Sequence, residues 1–119
     1  MGNNNHALGR WGEEAAANYL SQRGYSILSR NFRTPHGEID LVTCKGEQIV
    51  FFEVKARTSL VLGYPEDCVD RKKQAHMFSA AEYYLETHAE CDMWQYDVIA
   101  IIKYTDRPAD FCHFENVLV

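Results

Sequence analysis

Two stretches of the chain have apolar residues at three- and four-residue intervals, the pattern of amphipathic helices. They run from about Ala7 to Arg23 and from about Asp70 to Thr87. Gly24 follows the first stretch as a stop signal, and Asp70 is placed to cap the second. The recurring apolar positions are Leu8, Trp11, Ala15 and Tyr19 in the first stretch, and Met77, Ala81, Tyr84 and Leu85 in the second.

Shorter stretches with strand patterns occupy most of the remaining chain, and they predict five strands. They cover residues 25–32, 37–44, 49–57, 96–102 and 111–119. The fourth is apolar almost throughout, which is typical of a strand buried on both faces, and we expect the last to lie at a sheet edge. The order predicts an α/β fold, a mixed sheet of about five strands flanked by two main helices. Residues 1–6 are predicted to be a disordered tail, and residues 7–119 a single domain.

Acids interrupt the apolar pattern of the second and third strands, which a polar turn joins. If residues 45–48 form that turn, Asp40 lies directly across from Glu53. If instead Thr43 and Gln48 close a loop of four residues, Asp40 no longer lies across from Glu53 and the acids are separated. We predict the first register because it brings two carboxylates within reach of a single metal ion, although sequence specifies register weakly.

This arrangement of acids and a lysine suits divalent-metal chemistry. Magnesium takes oxygen ligands, so Asp40, Glu53 and the carbonyl of Val54 could hold it. Lys55 points to the same side of its strand, where it could orient or deprotonate a water molecule or stabilise charge on a phosphate. Glu13, on the flank of the first helix, could complete a second metal position or bind an outer-sphere water. The alternative is a structural salt-bridge patch on a solvent-facing side of the sheet.

Polar residues on the inward face of the second helix's first turn predict contacts with nucleic acid. Lys73 and Gln74 lie there, where free backbone N–H groups favour phosphate. Alternatively, the stem of Lys73 covers apolar surface while its ammonium reaches solvent. With Arg33 and Arg57 they form the predicted nucleic-acid-binding set.

Composition and charge limit the function classes. The 12 basic and 17 acidic residues give a net charge of −5, which weakens the case for non-specific nucleic-acid binding. Two bound divalent cations would bring this charge to about −1. We find no apolar run of membrane-spanning length and no signal-peptide pattern, and the four cysteines are widely spaced, as expected of reduced thiols in a cytoplasmic protein. The histidines show no metal-ligand spacing.

The spacing of the acids resembles the core of a nuclease superfamily. Asp40, a gap of twelve residues and then Glu53-Val54-Lys55 resemble the PD-(D/E)xK pattern of restriction-endonuclease-like nucleases. More specifically, the chain resembles the YraN-like family, an uncharacterised group similar to archaeal Holliday-junction resolvases. The segments that carry this resemblance include Gly12-Glu13, Gly37 to Leu41, Phe52 to Arg57, Gly63, Pro65, Val69, Lys73 and Tyr96-Asp97-Val98. Ile39 stands where the superfamily pattern has proline.

The resemblance implies a restriction-endonuclease-like fold with Glu13, Asp40, Glu53 and Lys55 in its active site. It implies Mg²⁺, with Mn²⁺ as a substitute, and DNA as the substrate, branched DNA included. Related resolvases act as dimers, so we expect a homodimer. The leading hypothesis is therefore a metal-dependent endonuclease. The alternatives are a non-catalytic nucleic-acid- or protein-binding module that keeps the nuclease fold, and a nuclease directed at RNA.

Overall fold

The computed structural model describes residues 2–58, 70–88 and 91–118, with the backbone alone for residues 2–5. This part of the chain forms helices and strands in the predicted order, which confirms the α/β class. The elements are α1 (Gly2–Ser21), β1 (Ser26–Thr34), β2 (Gly37–Lys45), β3 (Gln48–Arg57), α2 (Arg71–His88), β4 (Trp94–Ile102) and β5 (Asp110–Phe114).

The five strands form one mixed sheet in the order β1-β2-β3-β4-β5. The pairing of β3 with β4 is parallel, and the other pairings are antiparallel. A parallel pair needs a crossover connection, and α2 lies within it. Residues 96–102 of β4 are all buried, as expected for a strand covered on both faces, and β5 lies at an edge as predicted.

The register of the hairpin between β2 and β3 agrees with the prediction. Lys45 pairs with Gln48 and Cys44 with Ile49, and Gly46 adopts a φ of +62° in the turn between them. Glycine takes this left-handed conformation at no steric cost, so it favours a tight turn at this position. The regular pairing ends at Leu41 and Phe52, which makes Asp40 and Glu53 the next two residues beyond the ladder.

The two helices cover opposite faces of the sheet, and each face has its own apolar core. Side chains of β3 alternate between them: Phe52 packs with Leu20 of α1, and Phe51 packs with Met77 of α2. The core under α1 includes Ala16, Ala17, Leu20, Leu41, Phe52, Ile99 and Ile101; the core under α2 includes Ile39, Val42, Phe51, Met77, Ala81, Tyr84 and Tyr96. Thus β3 contributes side chains to both cores.

A glycine sets the distance between α1 and β3. A Cβ atom at Gly12 would lie 2.7 Å from the Cβ of Ala56, closer than real Cβ atoms approach one another. The absence of a side chain at residue 12 therefore lets the helix backbone lie directly on the strand. The next residue along the helix is Glu13, so this contact also places a predicted site residue.

The ends of two predicted segments differ from the structure, and a third segment lies mostly outside the described residues. The first helix begins at Gly2 and not near Ala7, because α1 extends through the polar Asn-rich segment, which lacks an apolar repeat. The last strand ends at Phe114 and not Val119, because the backbone N–H of Asn116 donates to Oδ1 of Asp97 at 2.9 Å and turns the chain. The predicted loop from Thr58 to Pro65 lies, beyond Thr58, outside the described residues.

Two further expectations concern membranes and thiols. None of the helices in the described ranges is long and apolar enough to cross a membrane. Cys44, Cys91 and Cys112 are free thiols, and Cys68 lies outside the described residues.

Candidate functional site

The four predicted active-site residues line one open pocket. Glu13 reaches it from α1, Asp40 from β2, and Glu53 and Lys55 from β3. The pocket has a volume of about 380 Å³. Its remaining walls are formed by Leu8, Gly9, Val54 and Ala56. Three elements that are far apart in sequence thus contribute their polar side chains to one place.

Asp40 is fixed by a hydrogen bond to the neighbouring strand. The backbone N–H of Val54 donates to its Oδ2 at 2.8 Å. The regular pairing of β2 with β3 has ended by this point, so the carboxylate replaces the backbone carbonyl that would otherwise accept from Val54. Ile39 and Val42, on either side, both face the core under α2, so strict alternation is interrupted at Asp40. The interruption turns the Asp40 carboxylate towards β3.

The environment of Asp40 opposes its ionisation. Burial, together with the negative charge of Glu53, raises the pKa of Asp40 from 3.8 to about 7. The hydrogen bond from Val54 and the charge of Lys55 act in the opposite direction but do not cancel this effect. Two neighbouring carboxylates that repel one another in a partly buried pocket favour the binding of a cation.

Glu53 lies between two lysines from different elements. Its side chain is 8% exposed, and its Oε1 lies 3.3 Å from Nζ of Lys55 and 3.3 Å from Nζ of Lys73. Lys55 follows two residues later on β3, and Lys73 comes from the first turn of α2. A nearly buried carboxylate is stable only when it is paired or hydrogen-bonded, and here both partners are ammonium groups.

The two adjacent glutamates of α1 have different surroundings. Glu14 is exposed and its Oε2 lies 2.6 Å from Nη1 of Arg30. Glu13 is half-buried in the pocket, where burial, together with the charges of Glu38 and Glu53, raises its pKa, against a hydrogen bond from the side chain of Asn31. Glu13 therefore belongs to the electrostatic environment of the site, whereas Glu14 belongs to the surface.

The residues predicted to bind nucleic acid occupy different surroundings. Lys73 contacts Glu53, and Gln74 is half-buried beside it on α2. Arg57 ends β3 and is half-buried. Arg33 is exposed on β1, with its Nε 3.4 Å from Oε2 of Glu38, so Glu38 supports a surface ion pair at the rim of the site. Nucleic-acid binding by this set stays a prediction.

A second, smaller pocket opens on the α2 side of Glu53. It has a volume of about 170 Å³. Lys73, His76 and the buried Tyr96 line it, together with Glu38. Burial, and then the charges of Glu53 and Asp40, raise the pKa of the Tyr96 hydroxyl well above its ordinary value of 10. The acids of the first pocket therefore act electrostatically on a residue of the second.

The donor atoms around Asp40 suit a hard divalent cation. Asp40, Glu53 and Glu13 offer carboxylate oxygens, the ligand type that Mg²⁺ prefers, and Mg²⁺ needs only one or two of them from a protein. Glu13 is not close enough to act with the other two on one ion: their three ligand atoms do not all lie within 4.8 Å of one another in the described structure. The residues that fit a first metal position are therefore Asp40 and Glu53, with Glu13 beside them.

A different group of side chains, on β4, on β5 and at the residue that follows β5, could also hold a metal ion. One ligand atom from each of Asp97, His113 and Glu115 lies within 4.8 Å of the other two. Asp97 is fully buried, and its Oδ2 lies 2.7 Å from Nε2 of His113. Its Oδ1 accepts from Nε2 of Gln95 and from the backbone N–H of Asn116, both at 2.9 Å.

Sequence spacing did not reveal this second group. Asp97 and His113 are sixteen residues apart, and the antiparallel pairing of Ile99 with His113 brings them together. The signal available in the sequence was an aspartate within an otherwise apolar strand, because such a residue needs a buried partner.

Comparison with known proteins gives one consistent result. A model of the uncharacterised protein family UPF0102 matches residues 12–101. A UPF0102 protein of Syntrophotalea carbinolica is 42% identical over 109 residues, which cover 91% of this chain and 88% of that protein. A UPF0102 protein of Syntrophomonas wolfei is 51% identical over 83 residues, 70% of this chain and 72% of that protein. The matched range contains Glu13, Asp40, Glu53, Lys55 and Lys73.

Proposed function

We propose that this chain, which belongs to the uncharacterised protein family UPF0102 in the restriction-endonuclease-like superfamily, is a divalent-metal-dependent endonuclease that hydrolyses phosphodiester bonds in DNA. The observation that supports this most strongly is the shared pocket of Glu13, Asp40, Glu53 and Lys55. A pair of interacting carboxylates beside a lysine supplies both the ligands for a cation and a positive group for the phosphate.

In the proposed reaction, Asp40 and Glu53 would hold Mg²⁺, or Mn²⁺ in its place. Such an ion, when bound, would supply Lewis-acid stabilisation of the phosphate and lower the pKa of water. The oxygen of a water molecule forms a bond to phosphorus while the bond from phosphorus to one bridging oxygen breaks. The attacking water gives up a proton to solvent, and the departing oxygen takes up a proton. One new strand end then carries the phosphate, and the other carries the hydroxyl.

The other residues of the site have separate roles in the proposed reaction. Lys55 is paired with Glu53 as an ammonium group, so its geometry favours stabilising charge on the phosphate over removing a proton from water. Glu13 lies beside the carboxylate pair and accepts a hydrogen bond from a water molecule outside the ligand set. In this proposal Arg33, Arg57 and Gln74 bind the DNA backbone.

Cleavage of end-labelled DNA tests the proposal. Linear, flapped and four-way DNA are incubated with the protein and Mg²⁺ or Mn²⁺, and products are separated under denaturing conditions. We expect cutting that EDTA stops and that Asp40→Ala and Lys55→Ala reduce by at least about a hundredfold, the scale of a lost electrostatic catalyst. Comparing the three DNA forms establishes whether branched DNA is preferred, and an RNA duplex of the same sequence tests the RNA alternative.

The two adjacent glutamates provide a matched control. Glu13→Gln should slow cleavage, whereas Glu14→Gln removes the same charge from the same helix outside the pocket and should not. If no metal supports cutting of any substrate, while the protein still binds DNA, the binding-module hypothesis replaces the nuclease. Sedimentation of the same sample, with and without DNA, tests the predicted homodimer.

A further inference from the structure

Two lysines meet a single carboxylate oxygen in the site, and only one of them is explained by the proposed chemistry. Lys55 and Lys73 both place Nζ 3.3 Å from Oε1 of Glu53. Lys55 is a neighbour on the same strand. Lys73 comes from another layer of the fold, so its contact requires that α2 be positioned for it.

The start of α2 is built in a way that fixes the base of Lys73. Asp70 caps the helix: its Oδ1 accepts from the backbone N–H of Lys73 at 2.8 Å, and its backbone carbonyl accepts from Gln74 at 2.8 Å. The backbone of Lys73 is thereby held, while its long side chain, 38% exposed, keeps its freedom. The neighbouring Lys72 is exposed on the same turn and forms no ion pair with Glu53 in the described structure.

A divalent cation on Asp40 and Glu53 would change the balance around Lys73. Without the cation, the two ammonium groups compensate the negative charge of Glu53. When the cation is bound, its double positive charge repels both ammonium groups and compensates the charge of the Glu53 carboxylate in their place. The pocket lined by Lys73, His76 and Tyr96 gives the displaced ammonium space next to the site.

From this geometry we infer that Lys73 is a displaceable counter-ion: it holds Glu53 in the metal-free protein, competes with the divalent cation, and on displacement binds a phosphate of the DNA strand to be cut. The second half of this inference rests on the proposed nuclease function. The first half concerns metal binding alone. The two halves therefore have separate measurements.

Calorimetric titration of the DNA-free protein with Mn²⁺ at constant pH tests the competition. Lys73→Gln removes the competing charge, so we expect Mn²⁺ to bind roughly five- to fiftyfold more tightly than to the wild type, the usual scale of coupling between two ligands. Lys73→Arg keeps the charge and should stay close to the wild type. Lys72→Gln removes an equal charge one residue away and should also stay close. Far-UV circular dichroism verifies that each variant is folded.

Single-turnover cleavage at saturating Mn²⁺ tests the phosphate contact. Lys73→Gln should then cut more slowly than the wild type although it binds the metal more tightly, whereas Lys72→Gln should cut at the wild-type rate. Unchanged or weaker Mn²⁺ affinity in Lys73→Gln would overturn the competition. Unchanged cleavage with tighter Mn²⁺ binding would overturn the phosphate contact. If the wild type cuts no DNA, the nuclease proposal and this contact fail, and the affinity comparison still decides the competition.

Discussion

The carboxylate of Asp40 acts as a backbone acceptor for Val54, with 2.8 Å between Oδ2 and the amide nitrogen. The same side chain is a proposed metal ligand, so its two oxygens serve structure and chemistry at once. This double use gives different expectations for two substitutions that would both remove a metal ligand.

Asp40→Ala and Asp40→Asn should differ in stability. Alanine leaves the N–H of Val54 without its acceptor, whereas the amide oxygen of asparagine still accepts from it. We expect Asp40→Ala to have a free energy of unfolding about 1–3 kcal/mol lower than that of Asp40→Asn, the cost of an unpaired buried group. Urea unfolding in EDTA at pH 8 measures the difference. Equal stabilities would mean that water or another group satisfies the amide.

The raised pKa of Asp40 makes the stability of the metal-free protein depend on pH. Its pKa is about 7 when folded, against an ordinary value of 3.8, so between these values the folded state retains a proton that the unfolded state has released. Stability should therefore fall as pH rises from about 4 to 7 and stay low above that. We expect a loss of roughly 1–3 kcal/mol between pH 5 and pH 8.

Urea unfolding in EDTA across that pH range measures this loss. Asp40→Asn should show a smaller loss than the wild type because the titrating group has been removed. Some pH dependence should remain, since the pKa of Glu13 is raised too and contributes with the same sign. A wild type whose stability rises with pH over this range would contradict the prediction.

The contact between α1 and β3 can be tested with two glycines of the same helix. Gly12→Ala places a Cβ 2.7 Å from that of Ala56, so we expect a loss of about 1–3 kcal/mol from overpacking. A Cβ at Gly9 meets nothing within 4 Å, and Gly9→Ala should gain up to about 1 kcal/mol from helix propensity. Thermal unfolding compares the two. A neutral Gly12→Ala would show that the helix shifts without cost.

The pair of Asp97 and His113 should stabilise the sheet even without a metal. His113→Ala removes the partner 2.7 Å from Oδ2 of a fully buried aspartate, for an expected loss of roughly 2–4 kcal/mol. Cys112→Ala, at the exposed neighbouring position, should stay within about 0.5 kcal/mol of the wild type. Unfolding in EDTA keeps any ion out of the comparison. Similar stabilities for the two variants would assign the pair no structural role.

The local parts of the fold were predictable because short-range chemistry determines them. The turn around Gly46 fixed the hairpin register, and with it the proximity of Asp40 and Glu53. The cap at Asp70 fixed the start of α2. The extension of α1 into residues 2–6 was missed because those residues have no apolar repeat.

Contacts between distant elements were harder to predict. A helical projection placed Lys73 on the inward face of α2, but its reach to Glu53 depends on how α2 docks on the sheet. His113 and Asp97 meet only because β4 and β5 are antiparallel neighbours with a particular register. The close approach at Gly12 is likewise a property of the packed layers. In each case the residue can be read from the sequence, but tertiary packing determines which residue it contacts.

The parallel pairing of β3 with β4 has a consequence for the order in which the site is completed. Residues 49–57 of β3 pair with residues 94–102, so each contact joins positions 45 residues apart and must await synthesis of the later segment. Such non-local contacts require closure of a long loop, which slows folding. A growing chain that exposes only the hairpin presents its acids without Lys73, β4 and β5. We therefore expect the proposed cutting activity to begin only after β4 has paired with β3.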